Sequence, residues 1–161
     1  MTEITRLTEI ILQPIGTVHN KEEGPRENGW GHIESDIRLD SSRFTEEALS
    51  GLTDFSHVEV IFQFHRIADQ DPVYGSRYPR GNPDFPKVGI LAQRGKDRPN
   101  HLGATICEVI GKHEFTLRVR GLDAYNGSPV LDIKPVMREF TPNTKDIHQP
   151  DWATELMKPY F

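Results

Sequence analysis

A chain of 161 residues, 35% hydrophobic and 27% charged, suits one folded domain with a sizeable core and excludes a disordered chain. Its 19 Lys and Arg against 24 Asp and Glu leave a net charge of −5. That excludes a uniformly basic nucleic-acid-binding surface and leaves only a local basic patch for such a role.

The first residues, MTEITRLTEI, lack the basic start and apolar core of a signal peptide. No apolar run approaches the length of a membrane span. The expected location is the cytoplasm, with no membrane partner. Ile10 to His19 reads as a strand interrupted at Pro14, because proline removes a ladder donor. Asn20 to Gly31, NKEEGPRENGWG, is a polar loop punctuated by glycine and proline. His32 to Leu39 alternates. Ile33, Ser35, Ile37 and Leu39 share one face and His32, Glu34, Asp36 and Arg38 the other, the pattern of a half-buried strand. Ser42 is placed to cap a short helix to about Leu49, with Glu46 and Glu47 in its first turn and Gly51 ending it.

The clearest strand is SHVEVIFQFH, Ser56 to His65. Val58, Val60, Phe62 and Phe64 share its core face, and His57, Glu59, Ile61, Gln63 and His65 the other. Ala68 to Lys87 holds Pro72, Pro79, Pro83 and Pro86 without periodicity, and long loops of this kind commonly serve as lids or partner surfaces. Val88 to Gln93 is strand-like. Ala104 to Ile110 and Glu114 to Leu122 are two further strands, with Gly111 and Lys112 expected at a tight turn between them. Phe115, Leu117 and Val119 face the core; Thr116, Arg118 and Arg120 do not. Cys107, the only cysteine, lies in ATICEVI and reads as a buried small hydrophobe. It allows no intrachain disulfide and suits a reducing compartment. Leu131 to Lys134 is a last short strand, and a short helix is expected from about Asp151.

Many short strands, few helices and frequent turns predict a mainly β fold. That pattern fits a small closed or partly open β-barrel, or a sandwich, with a few short helices and a long Pro-rich loop, in one domain over residues 1–161. Familiar chemical motifs are missing. There is no P-loop, no GxGxxG, no HExxH and no GxSxG, and the seven His are scattered, so no metal is expected.

Two segments concentrate polar residues at strand exits: GILAQRGKDRPNHLG, Gly89 to Gly103, and RGLDAYNGSPVLDIKP, Arg120 to Pro135. By pattern alone they fit solvated hairpins as well as site walls. They also resemble the two signatures of the TsaA-like β-barrel methyltransferases, a family that includes the tRNA threonylcarbamoyladenosine N6-methyltransferase. The first signature corresponds to Arg94, Arg98, Pro99, Asn100 and Gly103. The second corresponds to Leu122, Asp123, Asn126, Gly127, Pro129, Val130, Asp132, Ile133, Lys134 and Pro135. Weaker matches follow in the same order along the chain: Pro14-Ile15-Gly16, Pro25-Arg26, and Phe55-Ser56-His57 leading to Phe64-His65.

The resemblance covers a core at about residues 12–136 and leaves 137–161 as a tail; it implies a small closed or partly open barrel that binds S-adenosyl-L-methionine, a homodimer with the cofactor near the subunit interface, and methylation of tRNA. It implies cofactor contacts from Pro25, Arg26 and Glu27, from Phe64, His65 and Arg66, from Arg94 and Leu102, and from Leu122, Asp123, Ala124 and Tyr125. Alternation points the Phe64 side chain at the core, so its main chain is the expected contact. Arg98, Asn100, Asp132 and Lys134 are expected on the acceptor side. His65 and His101 are candidates to accept a hydrogen bond from an acceptor amine, because His titrates near neutrality.

The chain departs from the family pattern at Gly95, at His101-Leu102 where Pro-Ile is usual, and at Asn126 and Ser128. His101 relaxes the backbone that proline would fix. With the acidic balance, it leaves open a small-molecule acceptor, or a non-catalytic module that binds the cofactor. A basic patch from Arg66, Arg77, Arg80, Lys87, Lys96 and Arg98 requires the Pro-rich loop to fold back over the first signature.

Overall fold

A computed structural model describes residues 9–161; the reading of the first eight residues therefore falls outside the described part. Six strands close an antiparallel barrel in the order β1-β2-β7-β6-β3-β8. These are β1 (Gly16–His19), β2 (Glu34–Leu39), β3 (His57–Gln63), β6 (Leu102–His113), β7 (Thr116–Arg120) and β8 (Pro129–Pro135). The short strands β4 (Ser76–Arg77) and β5 (Val88–Gly89) pair separately. Helix α1 (Asp151–Met157) lies near the end of the chain. Among the described residues no helix is long and apolar enough to cross a membrane.

The barrel closes where β1 meets β8, at Gly16 opposite Val130. Closure leaves the barrel no free edge, so each of its six strands has two partners. The inward residues of the alternating strands fill the interior: Val18, Ile37, Val58, Val60, Leu117, Val119 and Val130 are fully buried. Gly103 on β6 is required by packing, because a Cβ there would lie 2.5 Å from the Phe62 ring.

Cys107 joins this core, with its thiol 3.8 Å from the Val58 carbonyl. Burial, helped by the charge of Asp123, pushes the thiol up to about 12. The thiolate is the reactive form. Native protein at pH 8 is therefore expected to resist alkylation by iodoacetamide and to react fully in denaturant. Rapid native labelling would show that this face of the barrel opens.

Several local expectations need correction. No strand covers Ile10 to Leu12, which are 57–85% exposed. The chain joins the barrel only after Pro14, where the Ile15 amide donates to Val130. Ser42 caps nothing: its amide and hydroxyl both donate to Asp40, at 3.0 and 2.6 Å, and the following 3₁₀ turn starts at Glu46. Val88 to Gln93 is strand for two residues only. Ile90 then donates to Gly75 and the chain turns through a 3₁₀ helix to Ala92. Gly111 and Lys112 are not the turn between β6 and β7. The ladder runs on to His113 opposite Thr116, with a bulge between Val109 and Gly111, and the turn falls at Glu114 and Phe115. The bulge absorbs one residue, which re-registers the strand beyond it.

The Pro-rich loop is also more ordered than its composition suggests. It folds back as the β4–β5 pair and lies on the first signature. Val73 donates to the Asp97 carbonyl, Arg77 pairs with the Asp97 carboxylate, and the buried Gln93 amide donates to both Arg77 and Val88 carbonyls at 3.1 Å.

Candidate functional site

Three segments far apart in sequence meet at one end of the barrel. The loop at residues 20–31 contributes Asn20, whose amide donates to Ser35 Oγ at 2.8 Å and to the Ala124 carbonyl at 2.9 Å. The Asn126 main-chain N–H donates to the Glu22 carbonyl. Tyr125 fixes the loop tip, since its hydroxyl accepts from the Arg26 amide at 2.8 Å and donates to the Arg26 carbonyl at 3.2 Å. The loop encloses an open cleft of about 440 Å³ lined by residues 21–28. Its backbone includes a cis peptide at Gly24–Pro25.

Arg26 turns back on its own loop. It pairs with Glu22 at 2.7 Å, donates to the Asn28 and Gly29 carbonyls, and lies 5.7 Å from the buried Trp30 ring. Arg66, from the segment after β3, reaches the same loop. It pairs with Glu23 at 2.8 Å and lies 4.9 Å over the Tyr125 ring. The Asn126 side chain donates to Glu23 as well, at 2.9 Å. Together the Asn126 and Arg66 hydrogen bonds hold the Glu23 carboxyl below its usual range. Pro25 and Glu27 are exposed on the loop, and the Glu27 carbonyl accepts from Arg80 at 3.0 Å.

His65 opens a 3₁₀ turn directly after β3 and stands over the turn at Asn126–Ser128. Its Nδ1 is 3.2 Å from Ser128 Oγ, and a Cβ on the exposed Gly127 would stand 3.8 Å from its Nε2. Partial burial first, then the charge of Arg66, lower its pKa from the ordinary 6.5. Phe64 lies just outside β3. Its ring packs edge-on against Phe62 and its amide donates to the His101 carbonyl.

His101 stands elsewhere in the architecture. It is 6% exposed, and its two ring nitrogens face the Lys96 carbonyl at 3.0 Å and the Gln70 carbonyl at 3.1 Å. It therefore ties the Pro-rich loop to the first signature and offers no free nitrogen to an acceptor. Asn100 and His101 both take positive φ, 66° and 50°. Proline, fixed near −65°, fits neither position, so the departure from the family pattern at His101 is a backbone requirement of this turn.

Leu122 and Ala124 are buried, so only their main chain faces the site, while Asp123 between them is half-buried. Asp123 accepts from Thr105 on one oxygen and from Tyr160 on the other. Arg94 is exposed and donates to the Ala104 carbonyl; Arg98 donates to the Gln93 carbonyl at 2.6 Å; Leu102 is half-buried at the start of β6. Asp132 and Lys134 pair with each other at 2.9 Å on the outer face of β8. Of the expected basic patch, Arg66 and Arg77 are paired with acids and Arg80 and Arg98 with carbonyls, while Lys87 and Lys96 are exposed. Among the described residues no three His, Cys, Asp or Glu side chains gather as metal ligands would.

Residues 15–141 match the model of the tRNA-methyltransferase O N-terminal domain. The chain belongs to that family. It is 36% identical over 138 residues to a probable S-adenosyl-L-methionine-binding protein of Methanothermobacter thermautotrophicus, covering 82% of this chain and 93% of that one. It is 35% identical over 97 residues to the tRNA (adenine(37)-N6)-methyltransferase of Escherichia coli, covering 56% of this chain and 40% of the other. A crystal structure of TrmO superposes with a TM-score of 0.68 at 27% identity, over 89% of this chain and 62% of the TrmO chain. The family members named as tRNA methyltransferases or TrmO are thus longer than this chain, whereas the archaeal relative is nearly matched in length.

Thr105, Ser128, Glu22, Glu23, Trp30 and Tyr160 also build the site, and sequence inspection missed them. Asn126–Glu23 and Tyr125–Arg26 join residues 103 and 99 apart, so no local pattern signals them. Trp30 was visible as a lone tryptophan in a polar loop, a residue that such a loop has no reason to carry unless it packs.

Proposed function

We propose that this protein is an S-adenosyl-L-methionine-dependent methyltransferase acting on N6 of threonylcarbamoyladenosine beside the tRNA anticodon. One observation carries the reading: the loop at 20–31 and the end of β3, which hold two of the weaker family matches, converge on Tyr125 of the second signature. The names of the relatives support the same chemistry.

The residues suit the cofactor. Arg94 presents an exposed guanidinium of the kind that holds a carboxylate. Asp123 suits a ribose diol. The Tyr125 face already takes one cation, Arg66, at 4.9 Å, and an aromatic face stabilises a sulfonium in the same way. When bound, the cofactor supplies an electrophilic methyl group. The protein aligns the acceptor amine with it, and alignment contributes about 7–11 kcal/mol. His65, its pKa lowered, accepts a hydrogen bond from the amine. His101 is withdrawn from that role by its buried contacts.

A homodimer fits the outward apolar residues of β6, where Ile106 is 49% and Ile110 37% exposed. A cytoplasmic location follows from a tRNA substrate, and we read residues 1–161 as a single domain. A second reading keeps the cofactor and takes a small acceptor. The internal pairing of Arg66 and Arg77 favours it, because paired arginines contribute little to phosphate binding.

Two measurements test the proposal. Calorimetry is expected to show binding of S-adenosylhomocysteine, and no binding would remove both readings. Nucleoside digests of tRNA treated with the protein and cofactor are expected to contain methylated threonylcarbamoyladenosine. Cofactor binding without that product would leave the second reading.

A further inference from the structure

We infer that Tyr160 is a positioning residue of the cofactor pocket, whose phenol orients the Asp123 carboxylate toward the ribose diol. The inference rests on the reading of Asp123 given above. Tyr160 lies beyond residue 141, where the family match ends, yet its hydroxyl donates to Asp123 Oδ2 while Thr105 donates to Oδ1. A carboxylate accepts about four hydrogen bonds, two on each oxygen. One donor on each oxygen fixes the plane of the group and leaves a lone pair on each for a vicinal diol.

The tail is seated to do this. The Gly29 amide donates to the Pro159 carbonyl at 3.0 Å and the Trp30 amide to the Tyr160 carbonyl at 2.8 Å. Gly31 leaves room for the passing chain, since a Cβ there would lie 2.7 Å from the Phe161 carbonyl carbon. Arg80 lies 5.8 Å from the Tyr160 ring. Burial and the charge of Asp123 push the phenol well above its ordinary 10, so it is a donor throughout the neutral range. The charges of Arg80 and Arg94 pull the other way and do not reverse the shift. The tail therefore stands between the first loop, the Pro-rich loop and the second signature.

Calorimetry on the full chain with S-adenosylhomocysteine tests the assignment. Tyr160→Phe keeps the ring and the tail and removes only the donor. Its affinity is expected to fall about tenfold, the worth of one hydrogen bond to a charged group, with the melting temperature unchanged. For the 2′,3′-dideoxy analogue, which lacks the hydroxyls that Asp123 would serve, the same substitution is expected to cost less than about twofold. Equal losses for both ligands would mark a merely structural tail and overturn the inference. An unchanged or increased affinity would also overturn it, an increase marking the tail as an obstruction. Asp123→Asn separates the two levels. If it weakens binding and Tyr160→Phe does not, the inference alone fails; if neither changes affinity, the cofactor role of Asp123 fails with it.

Discussion

A His65→Ala variant is expected to transfer methyl groups about 100-fold more slowly, the lower end of what a positioned acid–base group contributes. Calorimetry with S-adenosylhomocysteine reads cofactor affinity separately, so that a loss of rate with binding kept marks the effect as one on transfer. The physical basis is a contrast between two histidines. His101 is spent on two carbonyls inside the Pro-rich loop, whereas His65 is half-buried over the Asn126–Ser128 turn with Nε2 toward the exposed Gly127. Partial burial and Arg66 both disfavour its imidazolium, so its pKa lies below 6.5. The neutral ring is the form that accepts a hydrogen bond. Activity should therefore be flat through neutrality and fall on acidification, with a midpoint below 6.5. The same acid limb should be missing from the residual activity of His65→Ala. A variant with wild-type rate, or one that keeps the limb, would leave alignment as the whole of the chemistry.

The largest stability effect should come from Phe62→Ala, at about 3–5 kcal/mol. Phe62 is 1% exposed, packs edge-on against Phe64 with centroids 5.2 Å apart, and covers Gly103 on the neighbouring strand. Truncation leaves a cavity between β3 and β6 that the closed barrel collapses poorly. The reciprocal change, Gly103→Ala, should cost about 1–3 kcal/mol by overpacking, since the new methyl meets the ring at 2.5 Å. Urea unfolding with an unchanged slope would read both values. Wild-type stability for Gly103→Ala would mean the ring has room to move. Both positions also bear on the site, because β3 ends beside His65 and β6 begins at Leu102. A loosened Phe62–Gly103 contact should therefore weaken cofactor binding before the barrel unfolds.

What could be read early was set by short-range physics. Alternation in β2 and β3 reports which face meets the core, and the burial of Ser35, Ile37 and Leu39 and of Val58, Val60 and Phe62 follows it. Turns were harder, because several residues compete for each one. Gly111 and Lys112 look like a turn, but cross-strand pairing extends past them and Glu114 takes the positive φ instead. Asp40 outcompetes the expected Ser42 cap by accepting both of its donors.

By itself, then, the sequence determined a mainly β barrel, a buried cysteine and two ordered signatures, because strand periodicity and motif order are written in neighbouring residues. Only the tertiary structure decided which residues meet. It set the two histidines in different surroundings, His101 on the Gln70 carbonyl, and placed Tyr160 on Asp123, contacts that bridge 31 and 37 positions along the chain. It also folded the Pro-rich loop onto the first signature, spending Arg77 on Asp97. Hydrogen-bond capacity explains the difference. A side chain's donors and acceptors are fixed by its type, but whether they remain free for a ligand depends on what the closed barrel brings beside them.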